Sequence, residues 1–156
     1  MKPNYDPVAL SVPDDEIGID DDQVYWHGSE RFTGFTGETL RDGDYEFQCF
    51  RDGVLDGPSG QVTPDGDLIV EEWYRRNFLH GITRRFRRDG TLATAVAYEY
   101  AHPVWTVHFD FDGRTVQSSH TAELSESERK TIAVLRDEVP LPAPPGPEHA
   151  ADLNRH

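Results

Sequence analysis

Phe50-Arg51-Asp52-Gly53-Val54-Leu55-Asp56-Gly57 and Tyr74-Arg75-Arg76-Asn77-Phe78-Leu79-His80-Gly81 repeat one pattern, an aromatic anchor followed by Leu-x-Gly, 24 residues apart. Beyond each copy the match continues at the same offset, with Asp65-Gly66-Asp67-Leu68 answered by Asp89-Gly90-Thr91-Leu92. A fixed period of about 20–50 residues is the signature of a repeat architecture and takes precedence over any element-by-element reading. Outward from this pair the anchors extend to Trp26, Phe50, Tyr74 and Tyr98, and 16 of the 17 aromatic residues lie between Val24 and Phe111, which bounds the repeat region. The outer copies are looser, with Asp42-Gly43 and Asp112-Gly113 each displaced by one position.

Asp-Gly supplies the positive φ of a tight two-residue hairpin turn, and alternation of apolar and polar residues on both flanks completes a hairpin signal. From Leu92 to Tyr100 one face reads Leu92, Thr94, Val96, Tyr98, Tyr100, the other Ala93, Ala95, Ala97, Glu99. After His102-Pro103 the face Trp105, Val107, Phe109, Phe111 opposes Thr106, His108 and Asp110. The expected fold is all-β: a single-layer antiparallel β-meander of about four 24-residue hairpin repeats, with Tyr74, Tyr98, Trp105 and Phe109 largely buried.

The flanks differ from this centre. Residues 1–23 form an acidic segment poor in regular-structure signals, and residues 24–121 are the repeat domain. In 122–139, Ser125-Glu126-Ser127-Glu128 has capping-box spacing, and Ile132 and Leu135 give a narrow apolar stripe to a short helix suited to cap an open sheet end. Residues 140–156 begin Pro140-Leu141-Pro142-Ala143-Pro144-Pro145-Gly146-Pro147, which cannot continue a helix and predicts extended polyproline II leading into a free tail.

Apolar residues make up 36% of the chain and charged residues 28%, a balance suited to a thin, surface-rich fold in one unit. The lone cysteine, Cys49, excludes an internal disulfide, and neither a signal peptide nor a membrane span is legible, so a reducing, cytoplasmic setting is expected. Of the net charge of −14, residues 1–72 hold 18 acidic and 4 basic groups, whereas residues 73–98 carry six arginines against Asp89. An acidic body repels nucleic acid and anionic membranes at long range and attracts a basic partner.

The pattern of aromatic, Leu-x-Gly, Asp-Gly-x-Leu and aromatic again resembles the MORN repeat family, most closely its bacterial hairpin variant. The two quoted octapeptides carry the resemblance, which covers roughly residues 24–121; in the second, Phe78 stands where a glycine is expected after Asn77. The resemblance implies the repeat fold, and it implies antitoxin or immunity proteins, scaffolds or lipid binders as the functional range.

Local chemistry offers few catalytic signals. His102 and His108 share strand parity, but Pro103 intervenes and no ligand spacing completes a metal site; no cofactor motif is present. His80 stands where Asp56 does, before a repeat glycine, which fits a turn role. Asp110-Phe111-Asp112-Gly113 lacks the later acidic residue of a calcium loop and fits a hairpin turn. Glu71 and Glu72 point to opposite faces of a strand and cannot share a proton. The basic set Arg75, Arg84, Arg85, Arg87 and Arg88 reads either as stems covering the sheet with heads paired to carboxylates, or as an anion-binding patch. The acidic set Asp14, Asp15, Glu16, Asp20, Asp21 and Asp22 is either solvated tail or a lure for a basic protein partner. The leading expectation is a non-catalytic immunity or antitoxin-like protein that neutralises a toxin by covering its active site with the acidic sheet surface and N-terminal segment. A structural or lipid-associated scaffold and an enzyme with an unrecognised cleft are the alternatives.

Overall fold

The computed structural model describes residues 1–152; the end of the expected proline-rich tail, 153–156, lies outside the described residues. A short helix α1 (Pro7–Leu10) leads into β1 (Ser11–Pro13), a 3-10 turn, β2 (Ile17–Ile19), β3 (Tyr25–His27) and β4 (Glu30–Arg31). Then follow β5 (Gly34–Thr39), β6 (Tyr45–Arg51), β7 (Val54–Leu55), β8 (Gly57–Val62), β9 (Leu68–Arg75), β10 (Phe78–Leu79), β11 (Gly81–Phe86), β12 (Leu92–Glu99), β13 (His102–Phe109), β14 (Val116–Thr121) and helix α2 (Glu126–Glu138). The chain is mostly β. Its main sheet runs β1-β5-β6-β8-β9-β11-β12-β13-β14, with β7 and β10 paired onto β6 and β9, while β2-β3-β4 form a second small sheet. From β5 onward successive strands pair antiparallel, as the expected meander requires, but β1 joins the edge in parallel, Ser11 facing Phe35 and Val12 facing Thr36.

Two kinds of turn alternate. At one end of the sheet the chain reverses at Asp52-Gly53, Arg76-Asn77 and Tyr100-Ala101, 24 residues apart, each pair with both residues at positive φ. Those are the two-residue hairpins whose twist matches the strands. Asn77 takes the left-handed position itself, so Phe78 can replace a glycine without cost to the turn.

At the other end lie the Asp-Gly pairs at 65–66 and 89–90, and here the expectation of a two-residue turn is corrected. Gly66 and Gly90 occupy equivalent turns, with φ of 84° and 86°, but the preceding aspartates keep negative φ. Thr63 N donates to Asp67 O and Gly66 N to Thr63 O, both at 2.8 Å; Arg87, Thr91 and Gly90 repeat this pattern. The result is a three-residue loop, a type I turn closed by a left-handed glycine. The aspartate holds the loop by accepting a backbone N–H two residues on, as Asp89 does from Thr91 at 2.9 Å.

In the last loop Asp112 accepts backbone N–H bonds from Arg114 and Thr115, both at 2.8 Å, and a short bond from the Thr115 hydroxyl. These donors, the hydroxyl foremost, hold its carboxyl at about 2 against an ordinary 3.8. Because the folded value is depressed, its contribution to stability is complete above 3.8 and disappears as pH falls towards 2. A carbon-13 carboxyl titration should place the Asp112 midpoint near 2, and Thr115→Val should move it up towards 3.8; an unchanged midpoint would show that the hydroxyl is not the cause.

Register explains the two faces. Gly37, Phe47, Gly60 and Glu71 face one another across β5, β6, β8 and β9, and the row continues through Arg84, Ala95 and Val107. This face carries the core of Phe47, Val62, Leu68, Ile82, Phe86, Leu92, Ala95, Ala97, Trp105, Val107 and Phe109. A Cβ at Gly37 would collide with the carbonyl oxygen of Glu46, and one at Gly60 with that of Val70, so only glycine allows these strands to approach.

The start of the N-terminal segment, at Tyr5, and the C-terminal segment, at Ala150, lie on that face, so the segment read as poor in regular-structure signals is tied down and the tail read as free is corrected. Tyr5 stacks on Phe35 and meets Phe47 edge-on, and Ala150 joins the core. The buried face of β12 is consequently the alanine face, whose small side chains leave room for the covering segment. Trp105 and Phe109 are buried as expected. Tyr74 and Tyr98 are only half-buried, because they lie on the opposite face across from Gly57 and Gly81.

The capping box of α2 is present, with Ser125 and Glu128 exchanging bonds. The helix buries Ile132 and is tied to β12 by Arg136, which grips Glu99 at 2.6 and 2.8 Å. It does not cap the sheet end, since every residue of β14 is exposed.

At the centre of the covered face Arg84 is fully buried and pairs with Glu71 at 3.8 Å. Burial lowers the affinity of Arg84 for its proton, and Glu71 opposes the shift. Tyr5 donates its hydroxyl to Glu71 at 2.5 Å, and Arg84 donates Nε to Ala150 O at 2.9 Å and Nη2 to Asp152 O. Burial and the neighbouring carboxylate together push the Tyr5 hydroxyl far above its ordinary range.

Candidate functional site, the open sheet face

The other face is covered at one end, where Phe50 of β6 is buried against Tyr25 and Phe32, and is open further along, at Glu46 and Glu38. Glu38, Glu46, Gln61, Val70 and Arg85 face one another across β5, β6, β8, β9 and β11, and the row runs on through Thr94, His108 and Ser118. Strand alternation sends these side chains away from the core, so the face is polar by construction. Glu71 and Glu72 do lie on opposite faces, as their adjacency requires: Glu71 is buried beside Arg84, and Glu72 stands on the open side.

Two adjoining hollows mark this face. One, of about 150 Å³, is lined by Glu46, Gln48, Ser59, Glu72, Tyr74 and Arg85 among others. The second, of about 190 Å³, shares Glu46 and Gln48 and adds Asp14, Thr36 and Glu38. Together they present the carboxylates of Asp14, Glu38, Glu46 and Glu72 against the guanidinium of Arg85. Tyr74 donates to Glu72 at 3.3 Å, and burial, with the Glu72 charge second, raises its hydroxyl. Ser59 is 5% exposed and its hydroxyl has no hydrogen-bond partner among the described residues. A buried hydroxyl left unpaired costs about 1–3 kcal/mol, which a ligand group entering the hollow would recover. With no histidine in the hollow and no base on Ser59, the arrangement suits recognition of a cationic group more than nucleophilic chemistry. A roomier notch of about 560 Å³ follows the outer side of α2, but it is lined from that helix alone.

The chain matches no protein-family model, no curated protein and no solved structure.

The residues expected to form an acidic lure are only partly brought together. Asp14 joins the open face, while Asp15, Asp21 and Asp22 are exposed on neighbouring turns. Glu16 lies 3.6 Å from His27. Asp20 holds its own loop together instead. It accepts backbone N–H bonds from Asp22 and Val24 and the Trp26 indole N–H at 2.7 Å, and these bonds hold its carboxyl below the usual range.

The arginines do not form one patch either. Arg84 is buried on the covered face, and Arg75 lies over the Trp73 ring at 5.6 Å. Arg87 donates to the carbonyls of Leu92, Phe109 and Asp110, and Arg88 grips the buried Asp44 at 2.8 and 3.0 Å. Arg85 alone of the five points into the open hollow.

Glu38, Glu46, Glu72 and Ser59 are the site residues that sequence reasoning missed. The alternation in Tyr45–Arg51, with Phe47 buried between exposed Glu46 and Gln48, was the available signal. His80 is 2% exposed and follows the turn rather than forming it; its Nδ1 accepts from Tyr100 N at 3.1 Å.

Proposed function

We propose that the chain is a non-catalytic binding protein of the immunity or antitoxin type that holds a basic protein partner against its open, acidic sheet face. We read the sheet as about four 24-residue hairpin repeats in a single strand layer, resembling the bacterial MORN-like variant. The observation that carries the reading is the asymmetry of the faces: the terminal segments cover one, while the other gathers Asp14, Glu38, Glu46 and Glu72 in adjoining hollows. Covering a toxin's active site needs a broad surface with complementary charge, and charge complementarity chiefly sets encounter rate and partner choice. Among the described residues no helix is long and apolar enough to cross a membrane.

The test uses full-length chain with Asp14→Asn, Glu38→Gln, Glu46→Gln and Glu72→Gln combined. Wild-type chain is used to capture partners from the source cell, and stopped-flow binding follows with the captured protein. The expected partner is basic, and the variant should associate about tenfold more slowly at low salt, with the difference fading at high salt. Arg85→Gln should leave association unchanged or faster. A partner that binds wild type and variant alike at every salt concentration would refute the reading, and selective binding to anionic vesicles would favour a lipid-associated scaffold. Asp20 is left intact because its loss would unfold the loop it holds.

A further inference from the structure

The tail does more than lie on the sheet, because three of its carbonyls are caught by side chains of the sheet. Tyr100 donates its hydroxyl to Val139 O at 2.6 Å, His80 Nε2 meets Pro142 O at 2.6 Å, and Trp105 donates its indole N–H to Pro145 O at 2.9 Å. The Tyr100 N–H is accepted by His80 Nδ1, so Nε2 carries the proton and His80 donates to Pro142. Positions 142 and 145 are three apart, and a polyproline II helix has 3 residues per turn, which places these two carbonyls along one edge about 9 Å apart; Val139, three residues earlier, is the C-cap of α2 with φ −132° and ψ 77°, where the chain turns into this segment. Such a helix makes no internal hydrogen bonds, so its carbonyls are free for donors supplied from outside. Gly146, with φ −70° and ψ 168°, continues the extended path. Leu141 and Pro144, also three apart, turn partly inward, while Pro140, Pro142 and Ala143 stay exposed.

The receiving side is built from edge-packed aromatics. Tyr100 meets Phe78 at 5.4 Å and 81° and His80 at 4.9 Å and 70°. The Tyr100 hydroxyl also accepts the Leu141 N–H at 3.2 Å, which fixes the register. Aromatic walls carrying polar hydrogen-bond donors, spaced to the period of the ligand, are how preformed proline-rich segments are recognised. The positions come from different repeats of the chain and converge by the fold.

We propose that the cleft formed by Tyr100, His80 and Trp105 is a polyproline II binding site in its own right, which a proline-rich segment of a partner protein occupies by displacing residues 139–145. The ligand has an aliphatic residue followed three positions later by proline, as Leu141 and Pro144 are here, and presents two carbonyls at the same spacing. The resident segment is a tethered competitor. Tethering to α2 gives it a millimolar effective concentration, so a partner succeeds by binding more tightly or by arriving with a second contact elsewhere on the chain.

The test uses the full chain labelled with nitrogen-15 and follows the Trp105 indole N–H resonance. Pro144→Gly with Pro145→Gly loosens the resident segment, and the indole resonance should move from its wild-type position. A synthetic peptide of residues 139–147 should then restore it, while the same peptide with glycine in place of each proline should bind at least about tenfold more weakly, having lost its preformed shape. Tyr100→Phe in the loosened chain should weaken the first peptide about 2–10-fold, the effect of one or two hydrogen bonds. If the loosened chain does not fold, wild-type chain is titrated with the peptide bearing a spin label, and selective broadening of the Trp105 indole is expected. Equal binding of the two peptides, no restoration at millimolar peptide, or no broadening in the wild-type experiment would each overturn the proposal.

Discussion

Trp105→Ala should lower the free energy of unfolding by about 3–5 kcal/mol, as measured by urea denaturation. The side chain is 6% exposed and belongs to the core with Val107, Phe109 and Ala97, so its removal leaves a cavity in a sheet face that cannot collapse. The same change deletes the indole donor to Pro145. Trp105→Phe separates the two effects, since it keeps most of the buried ring and loses only the hydrogen bond; it should cost about 1–2 kcal/mol. A cost below about 1 kcal/mol for the alanine change would mean that the strand's inward face had been assigned wrongly.

Arg84→Ala should be as damaging, about 3–5 kcal/mol, for an electrostatic reason. Glu71 is 2% exposed, and without the guanidinium its charge would stand in the core with only the Tyr5 hydroxyl bound to it. The tail would also lose both of the bonds it makes through Ala150 and Asp152. Glu71→Leu combined with Arg84→Met should recover most of the loss, because a buried ion pair contributes little beyond what apolar residues of like volume supply. Glu71 Oε1 and Arg84 Nη1 make no hydrogen bond among the described residues, which strengthens that expectation. A double variant no more stable than Arg84→Ala would show that the pair, rather than the unpaired carboxylate, sets the cost.

Much of the sheet was legible in the sequence because its signals are local. The 24-residue offset, the Asp-Gly pairs and the capping box at Ser125 each act within a few residues, and the folded chain keeps them. The kind of turn was not legible. Asp-Gly serves a two-residue hairpin at 52–53 and a three-residue loop at 65–66, and the choice depends on strand register across the whole hairpin. The burial of Tyr98 expected from β12 failed for a longer-range reason. Val96 and Tyr98 look like the core side, but the segments that cover the sheet come from the chain's ends and lie against Ala95 and Ala97. The open-face carboxylates were hidden for the same reason: each is an ordinary outward strand residue, and only register brings Glu38, Glu46 and Glu72 beside Asp14.

The clasp at Glu71 and Arg84 also orders events during folding. Successive hairpins close loops of two to four residues, whereas Tyr5 reaches Glu71 across 66 residues and Arg84 reaches Ala150 across another 66. Closure entropy grows with loop length, so the hairpins condense first and the two ends dock on a sheet already formed. Contacts absent from the transition state govern how fast a protein comes apart rather than how fast it assembles. The ends of this chain therefore act as its kinetic lock: weakening them shortens the lifetime of the native state and leaves the rate of reaching it unchanged.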